Sequence, residues 1–153
     1  RLTFSGPNEV GYELCIEPDT WAAWPYKGKV SISYQCTKSS LFVSFKVFNL
    51  GNLPFSFTAG LHPYFKLNSL LETSVIGLEG SSCANVYDVE QTRFENEKLV
   101  FDQRPFETCF RGTPSLVLSE YGKSKLQLES TGFTHWMIWN PGEQGALTLN
   151  DLP

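Results

Sequence analysis

Hydrophobic and polar residues alternate with a period of two near the start of the chain. Val30, Ile32 and Tyr34 alternate with small or polar residues, and the alternation resumes over 41–48 after a turn-like stretch at 37–40. Successive side chains of a strand point to opposite faces, so this pattern predicts a β-hairpin. We expect one face of the hairpin to be fully buried and the other to be partly aromatic.

The same period predicts a further strand directly after the hairpin. Residues 49–54 form a turn-like cluster, and apolar residues then alternate from Phe55 to Leu61 and end at His62. Later short strands are expected near residues 74–78, 115–120, 125–130 and 135–140, whereas 142–144 is interpreted as a loop. No stretch of a dozen residues has a helical period. The sequence therefore predicts an all-β fold, an antiparallel β-sandwich.

Composition narrows the possible classes of protein. Hydrophobic residues make up 41% of the 153 residues and aromatic residues 14%, which is enough for a core and excludes a disordered chain. The net charge of −4, without any run of Lys or Arg, argues against nucleic acid and against anionic membrane surfaces as partners. No apolar run approaches the length of a transmembrane helix, so membrane insertion is not expected.

The four cysteines, Cys15, Cys36, Cys83 and Cys109, are widely spaced. They form no CxxC pair and have no neighbouring histidines, so we expect no metal site. Cys15 and Cys36 lie in strand-like sequence and are interpreted as small buried residues. A reducing compartment, the cytoplasm, fits this pattern, although the even number of cysteines leaves disulfides open.

The two ends of the sequence indicate a part of a longer domain. Phe4–Pro7 begins in mid-strand, and Leu147–Pro153 stops where a further strand is expected. We expect residues 1–153 to form a single sandwich domain that is a fragment of a longer one. An open sheet edge would then pair with a missing segment or with a protein partner.

His62 is the first candidate for chemistry. It is one of only two histidines and stands between an apolar stretch and the aromatic pair Tyr64 and Phe65. The unperturbed pKa of histidine suits acid–base work near neutrality. A histidine at a strand end is also commonly a hydrogen-bonded structural residue, and both interpretations stay open.

Several spaced motifs occur in an order that is similar to one enzyme family. They are Trp24-Pro25-Tyr26 before a strand, the hairpin over 41–54, Leu61-His62-Pro63-Tyr64-Phe65, the stretches 76–80 and 86–88, Glu107 before Thr113-Pro114, and Trp139-Asn140-Pro141-Gly142 with 149–153. In this order they resemble the galactose mutarotase-like superfamily, which comprises aldose 1-epimerases and the glucose-6-phosphate 1-epimerase branch. That resemblance implies a β-supersandwich of which this chain covers the C-terminal half.

The resemblance also implies a reaction without cofactor or metal. A base takes the proton of the anomeric hydroxyl, an acid protonates the ring oxygen, and the opened ring closes on its other face. Carried over by motif, His62 is the acid and Glu107 holds sugar hydroxyls. The family's glutamate base follows a segment like 151–153 and is not visible in this chain. Glu17, in the similar Leu14–Pro18, lies at the wrong end of the order and is interpreted as solvated.

Other side chains are candidates for contacts with the substrate. Tyr64, Trp136 or Trp139 either packs on the apolar face of a sugar or belongs to the core. His135 is interpreted as structural. Three arginines are isolated in the sequence, and among them Arg111 is the preferred contact for a sugar phosphate, because guanidinium–phosphate pairs are strong.

Two functions from different classes follow from these observations. The first is a mutarotase of an aldose or hexose 6-phosphate, with a small sugar or sugar phosphate as its ligand. The second is a non-catalytic binding or assembly subunit, like the mutarotase-like accessory subunits of the plastid NADH-dehydrogenase-like complex, which would place the protein in a plastid.

Overall fold

The computed structural model describes residues 1–19, 24–85 and 88–149. Their strands and single short helix are β1 (Leu2–Ser5), β2 (Glu9–Ile16), β3 (Gly28–Cys36), β4 (Leu41–Asn49), β5 (Thr73–Ile76), β6 (Ser82–Asn85), β7 (Asp88–Arg93), β8 (Lys98–Val100), β9 (Phe106–Arg111), β10 (Leu116–Glu120), β11 (Lys123–Leu128), β12 (His135–Asn140) and α1 (Gly142–Ala146). Every strand pair is antiparallel, which confirms the all-β prediction. Within the described ranges, no helix is long and apolar enough to cross a bilayer.

The chain divides into two compact units, Arg1–His62 and Pro63–Pro153. The first unit contains one four-stranded sheet in the order β1-β2-β3-β4. The predicted hairpin is confirmed, because β3 and β4 pair along their whole length. Its turn is closed by the Thr37 amide, which donates to the Ser40 carbonyl at 2.8 Å, and by the Thr37 hydroxyl, which accepts from the Ser40 amide at 3.0 Å.

The prediction of a fully buried hairpin face is wrong. Ile32 and Tyr34 are only partly buried. On the same face of β4, Val43, which lies opposite Tyr34, is 40% exposed and Leu41 is 60% exposed. Alternation identifies the side chains that share a face, but it carries no information on whether a second layer covers that face.

The two cysteines of this sheet were also expected to be buried, and that prediction is wrong. Cys15 and Cys36 are both exposed. Cys36 lies opposite Leu41, on the apolar face that is left partly uncovered. Cys15 lies opposite Lys29, on the more polar face.

The strand predicted from Phe55 to Leu61 does not form. Residues 54–67 contain neither strand nor helix, although their apolar residues alternate. Phe55 instead packs its ring against Trp24 and Tyr26, at centroid distances of 5.0 and 5.4 Å. A strand needs a hydrogen-bonded neighbour as well as apolar side chains, and no described strand pairs with this segment.

The second unit contains two four-stranded sheets, in the orders β11-β10-β5-β8 and β12-β9-β6-β7. Their facing sides supply one core, which consists of Val75, Leu78, Cys83, Leu99, Phe110, Leu116 and Leu118. Phe110 and Leu78 are completely buried in it. A core shared by two antiparallel sheets is the arrangement of a β-sandwich, as predicted.

The later strands match the predictions unevenly. β5, β10, β11 and β12 were predicted, whereas β6 to β9 were not. The expected loop at 142–144 is part of α1, whose first residue, Gly142, donates its amide proton to the Asn140 side chain at 2.8 Å. Of the stretches that carry the resemblance, residues 86 and 87 and 150–153 lie outside the described residues.

A buried carboxylate connects β10 to the segment before β5. Glu120 is 7% exposed and accepts hydrogen bonds from the Asn68 amide, the Asn68 side chain at 2.8 Å and the Ser69 amide at 3.0 Å. Lys125 on β11 donates to the same carboxylate at 2.8 Å. These contacts, the Lys125 bond above all, lower the pKa of Glu120 from its ordinary 4.5 to about 2.

The pH dependence of stability should reveal this carboxylate. Because its folded-state pKa is depressed, its contribution is present above about pH 4.5 and is lost as the pH falls toward 2. We expect Glu120→Gln to lower the midpoint of thermal unfolding at pH 7 by about 5 °C. Calorimetry should show that the difference from wild type narrows between pH 4.5 and 2. A difference that stays constant with pH would contradict the assignment.

Candidate functional site

Strand β9 separates core residues from outward residues by simple alternation. Phe110 is completely buried and Thr108 is 7% exposed, so this set of side chains faces the sandwich core. Glu107, Cys109 and Arg111 alternate with them and therefore lie on the opposite, outer face. The alternation of this hexapeptide was the sequence signal that could have revealed β9.

Strand β12 places three more side chains on the same outer face. In the register of the pair, Trp139 lies opposite Glu107, Met137 opposite Cys109, and His135 opposite Arg111. Directly opposite residues of an antiparallel pair share a face, with Cβ atoms about 5 Å apart. Met137 is 50% exposed and His135 is exposed, so this face is open to ligands.

Tyr64 joins this face through its contact with Trp139. The two ring centroids are 6.3 Å apart and the rings meet edge to face at 79°. Tyr64 is 46% exposed, while Trp139 and Glu107 are partly buried. Together, Tyr64, Trp139 and Glu107 form what we call the aromatic–carboxylate cluster.

The cluster has the chemistry that a sugar requires. Carboxylate oxygens accept strong hydrogen bonds from hydroxyl groups, and half-exposed aromatic rings offer an apolar surface to the C–H face of a pyranose. Arg111 lies four residues further along β9 on the same face, about 13 Å from Glu107. It forms no ion pair within the described part of the chain.

The structure distinguishes Trp136 from Trp139, either of which could contact a sugar according to the sequence. Trp136 packs against the core, and its indole N–H donates to the Pro114 carbonyl at 3.0 Å. Trp139 lies on the outer face and contacts Tyr64. Sequence alone could not tell them apart, because that distinction requires the register between β9 and β12.

The remaining arginines and the second histidine are engaged locally. Arg104 holds Asp102 through its Nε at 2.7 Å and its Nη2 at 2.6 Å, and this pairing lowers the pKa of Asp102. Arg93 lies 4.0 Å from Glu95. His135 has its Nδ1 2.7 Å from the Thr134 hydroxyl, which agrees with a structural interpretation.

The predicted site residues therefore fall into two groups. Tyr64, Glu107 and Arg111 all belong to the second unit and lie on or beside the outer face of β9 and β12. His62 is the last residue of the first unit and is exposed. Its role as an acid stays a prediction.

Two further expectations concern a base and a metal. Glu17 is exposed and forms an ion pair with Lys27 at 3.3 Å, with about half of each side chain in solvent. It is thus the solvated residue that the sequence indicated. In the described ranges, no group of three or more His, Cys, Asp or Glu side chains is arranged to hold a metal ion.

Comparison with known proteins gives one family. The model of the aldose 1-epimerase family matches residues 4–151, which is nearly the whole chain. A search of curated proteins finds no significant match. The family match agrees with the resemblance of the ordered motifs around His62 and Trp139 and with the antiparallel sandwich. The chain belongs to the aldose 1-epimerase family.

Proposed function

We propose that this protein binds a sugar on the outer face of β9 and β12 and interconverts its anomers as an aldose or hexose-6-phosphate 1-epimerase. The observation that carries the proposal is the aromatic–carboxylate cluster, in which Glu107 lies opposite Trp139 and Trp139 contacts Tyr64. The cluster belongs to a chain of the family whose name describes this chemistry.

The proposed reaction needs one acid and one base and no redox partner. The base removes the proton of the anomeric hydroxyl, the C1–O5 bond breaks, and His62 donates a proton to O5. Rotation about C1–C2 followed by the reverse proton transfers closes the ring with the opposite configuration. We assign no residue to the base, because Glu17, the only residue with family-like neighbours, is ion-paired with Lys27.

The covalent chain supports the role of His62. Only Pro63 separates His62 from Tyr64, so their Cα atoms are at most about 7 Å apart. The proposed acid and the proposed aromatic contact are therefore close together along the chain. Glu107, four strand positions from Arg111 on the same face, would hold hydroxyl groups while the long guanidinium side chain meets a phosphate.

Sugar affinity provides the direct test. We expect Glu107→Gln to raise KM for the sugar about tenfold, because a charged acceptor is replaced by a weaker neutral one. Anomer exchange, measured by NMR with selective inversion of the α-anomer signal, gives the rate for glucose and for glucose 6-phosphate. Glu129→Gln, a change at an exposed glutamate, is the matched control.

The outcomes separate the parts of this proposal. An unchanged KM in Glu107→Gln would remove Glu107 from the site. A preference for glucose 6-phosphate that disappears in Arg111→Met would support the phosphate contact. Exchange by the wild type no faster than in buffer would reject the enzyme itself.

One observation favours the second candidate function, a non-catalytic assembly subunit. The sheet of the first unit exposes large apolar side chains, with Leu14 61%, Leu41 60% and Leu2 55% exposed. Exposed apolar surface of this kind is typical of contact with another protein. This role would place the protein in a plastid complex, whereas the enzyme would be cytoplasmic. Absence of anomer exchange together with stable association with a protein partner would favour it.

A further inference from the structure

We propose that Glu120 is a positioning residue: its carboxylate anchors the end of the strandless segment 54–67 and so keeps the Tyr64 ring against Trp139. Its effect on sugar binding rests on the proposed function, but the anchoring itself does not. Glu120 lies on β10, whereas Trp139 lies on β12 in the other sheet of the second unit. Glu120 therefore acts through the segment that carries Tyr64, whose ring contacts Trp139.

The segment that carries Tyr64 has little regular structure to hold it. Residues 54–67 belong to no strand or helix, so no hydrogen-bonded ladder fixes their backbone. Leu67, at the end of the segment, packs against the core of the sandwich. The next two residues, Asn68 and Ser69, are those whose amides donate to Glu120.

The anchor consists of several hydrogen bonds to one carboxylate. The Glu120 carboxylate accepts from two successive backbone amides, from the Asn68 side chain and from Lys125, so both oxygens are engaged. A 7% exposed carboxylate with this many donors has no alternative partner in solvent. The hydroxyl of Thr73 completes the turn by donating to the Ser69 carbonyl at 2.6 Å.

The distance along the chain from the anchor to the site is short. Phe65, Lys66 and Leu67 are the only residues between Tyr64 and Asn68, and Leu67 is already fixed by core contacts. The anchor therefore leaves only two residues free to move before Tyr64. Without it, the backbone around Asn68 and Ser69 would lose three hydrogen bonds, and the freedom of the segment would extend to the ring.

A simpler role for Glu120 is to neutralise Lys125. In that case its loss would affect stability but not the Tyr64–Trp139 contact. The two roles predict different behaviour of the Trp139 indole, which can be followed in the folded protein without any ligand.

The test compares indole N–H signals in two-dimensional 15N–1H NMR spectra. Trp139→Phe assigns the Trp139 signal, and Tyr64→Leu shows where that signal lies without the Tyr64 ring. We expect Glu120→Gln to move the signal toward the Tyr64→Leu position. The Trp136 signal, whose N–H is bound to Pro114, should stay in place and so report an intact sandwich.

Proteolysis gives a second readout. Lys66 is exposed within the segment, and we expect trypsin to cut after it about tenfold faster in Glu120→Gln than in wild type. Glu129→Gln should change neither the NMR signal nor the cleavage rate. If Glu120→Gln does not fold, Asn68→Ala, which removes one donor and leaves the carboxylate in place, should shift the Trp139 signal in the same direction by a smaller amount.

The outcomes are decisive. A folded Glu120→Gln protein with an unmoved Trp139 signal and wild-type cleavage would overturn the proposal, as would an unmoved signal in Asn68→Ala. If wild type exchanges anomers, Glu120→Gln should raise KM and leave kcat nearly unchanged, because only binding depends on the position of Tyr64. If wild type exchanges none, the proposed function fails while the Trp139 signal still decides on the anchor.

Discussion

His62→Ala is expected to lower the rate of anomer exchange about 10²–10⁴-fold, the usual contribution of one positioned proton-transfer group. Without an acid at the ring oxygen, the C1–O5 bond must break to a free alkoxide. kcat should therefore fall much more than KM rises, in contrast to Glu107→Gln. Exchange measured by NMR with glucose and glucose 6-phosphate distinguishes the two patterns.

The second histidine provides the matched control. His135 is also exposed, but its Nδ1 is close to the Thr134 hydroxyl, and the sequence indicates a structural role. His135→Ala should keep most of the exchange rate. Since His62 is exposed and outside the core, His62→Ala should unfold at nearly the wild-type temperature. A His62→Ala protein with the wild-type exchange rate would contradict the proposed role of His62 as the acid.

Gly142→Ala is expected to lower the free energy of unfolding by about 3 kcal/mol, the sum of backbone strain and overpacking. Gly142 has φ +71°, and an added Cβ would lie 2.7 Å from the Pro105 nitrogen, 2.8 Å from the Gln103 oxygen and 2.9 Å from the Arg104 carbonyl carbon. All three are backbone atoms, so no flexible side chain can move away. The loop and the first turn of α1 must separate instead, which strains the Glu143–Gln103 hydrogen bond.

Two other glycines separate strain from overlap. Gly132 has φ +85° and no atom within 4 Å of an added Cβ, so Gly132→Ala should cost about 1–2 kcal/mol from conformation alone. At Gly60 an added Cβ has no atom within 4 Å and φ is not positive, so Gly60→Ala should leave the free energy of unfolding nearly unchanged. Urea unfolding of the three variants gives the values. If Gly142→Ala lowers the free energy of unfolding no more than Gly132→Ala does, the loop at 103–105 moves away from the added Cβ more easily than its packing indicates.

Sequence alternation predicted the pairing of two strands where both are close in the chain. β3 and β4 were found because both strands alternate and a short turn joins them. The segment from Phe55 to Leu61 alternates equally well, yet no described strand pairs with it. Hydrogen-bonded partners that lie far apart in sequence cannot be read from period alone, so alternation could not distinguish the segment from Phe55 to Leu61 from a true strand.

The candidate site depends on that same long-range information. Glu107 and Tyr64 were named from the resemblance. For Trp136 and Trp139, the sequence could not say which one contacts a sugar and which one belongs to the core. The register that sets Trp139 opposite Glu107 connects strands whose residues are about 30 positions apart. Sequence motifs could therefore identify Glu107 and Trp139 as candidates, but only the pairing of β9 with β12 shows that they lie side by side.

The distribution of buried side chains has a consequence for how the protein opens. All seven buried hydrophobic residues of the described chain belong to the second unit, whereas the side chains of β3 and β4 in the first unit are partly buried or exposed. Burial sets local stability, so the first sheet can lose structure at lower free-energy cost than the sandwich. His62 is where these two levels of stability meet along the chain. The ability of His62 to act as an acid would then depend on the local unfolding equilibrium of the first unit's sheet. This would hold even while the sandwich that carries Glu107 and Trp139 stays folded.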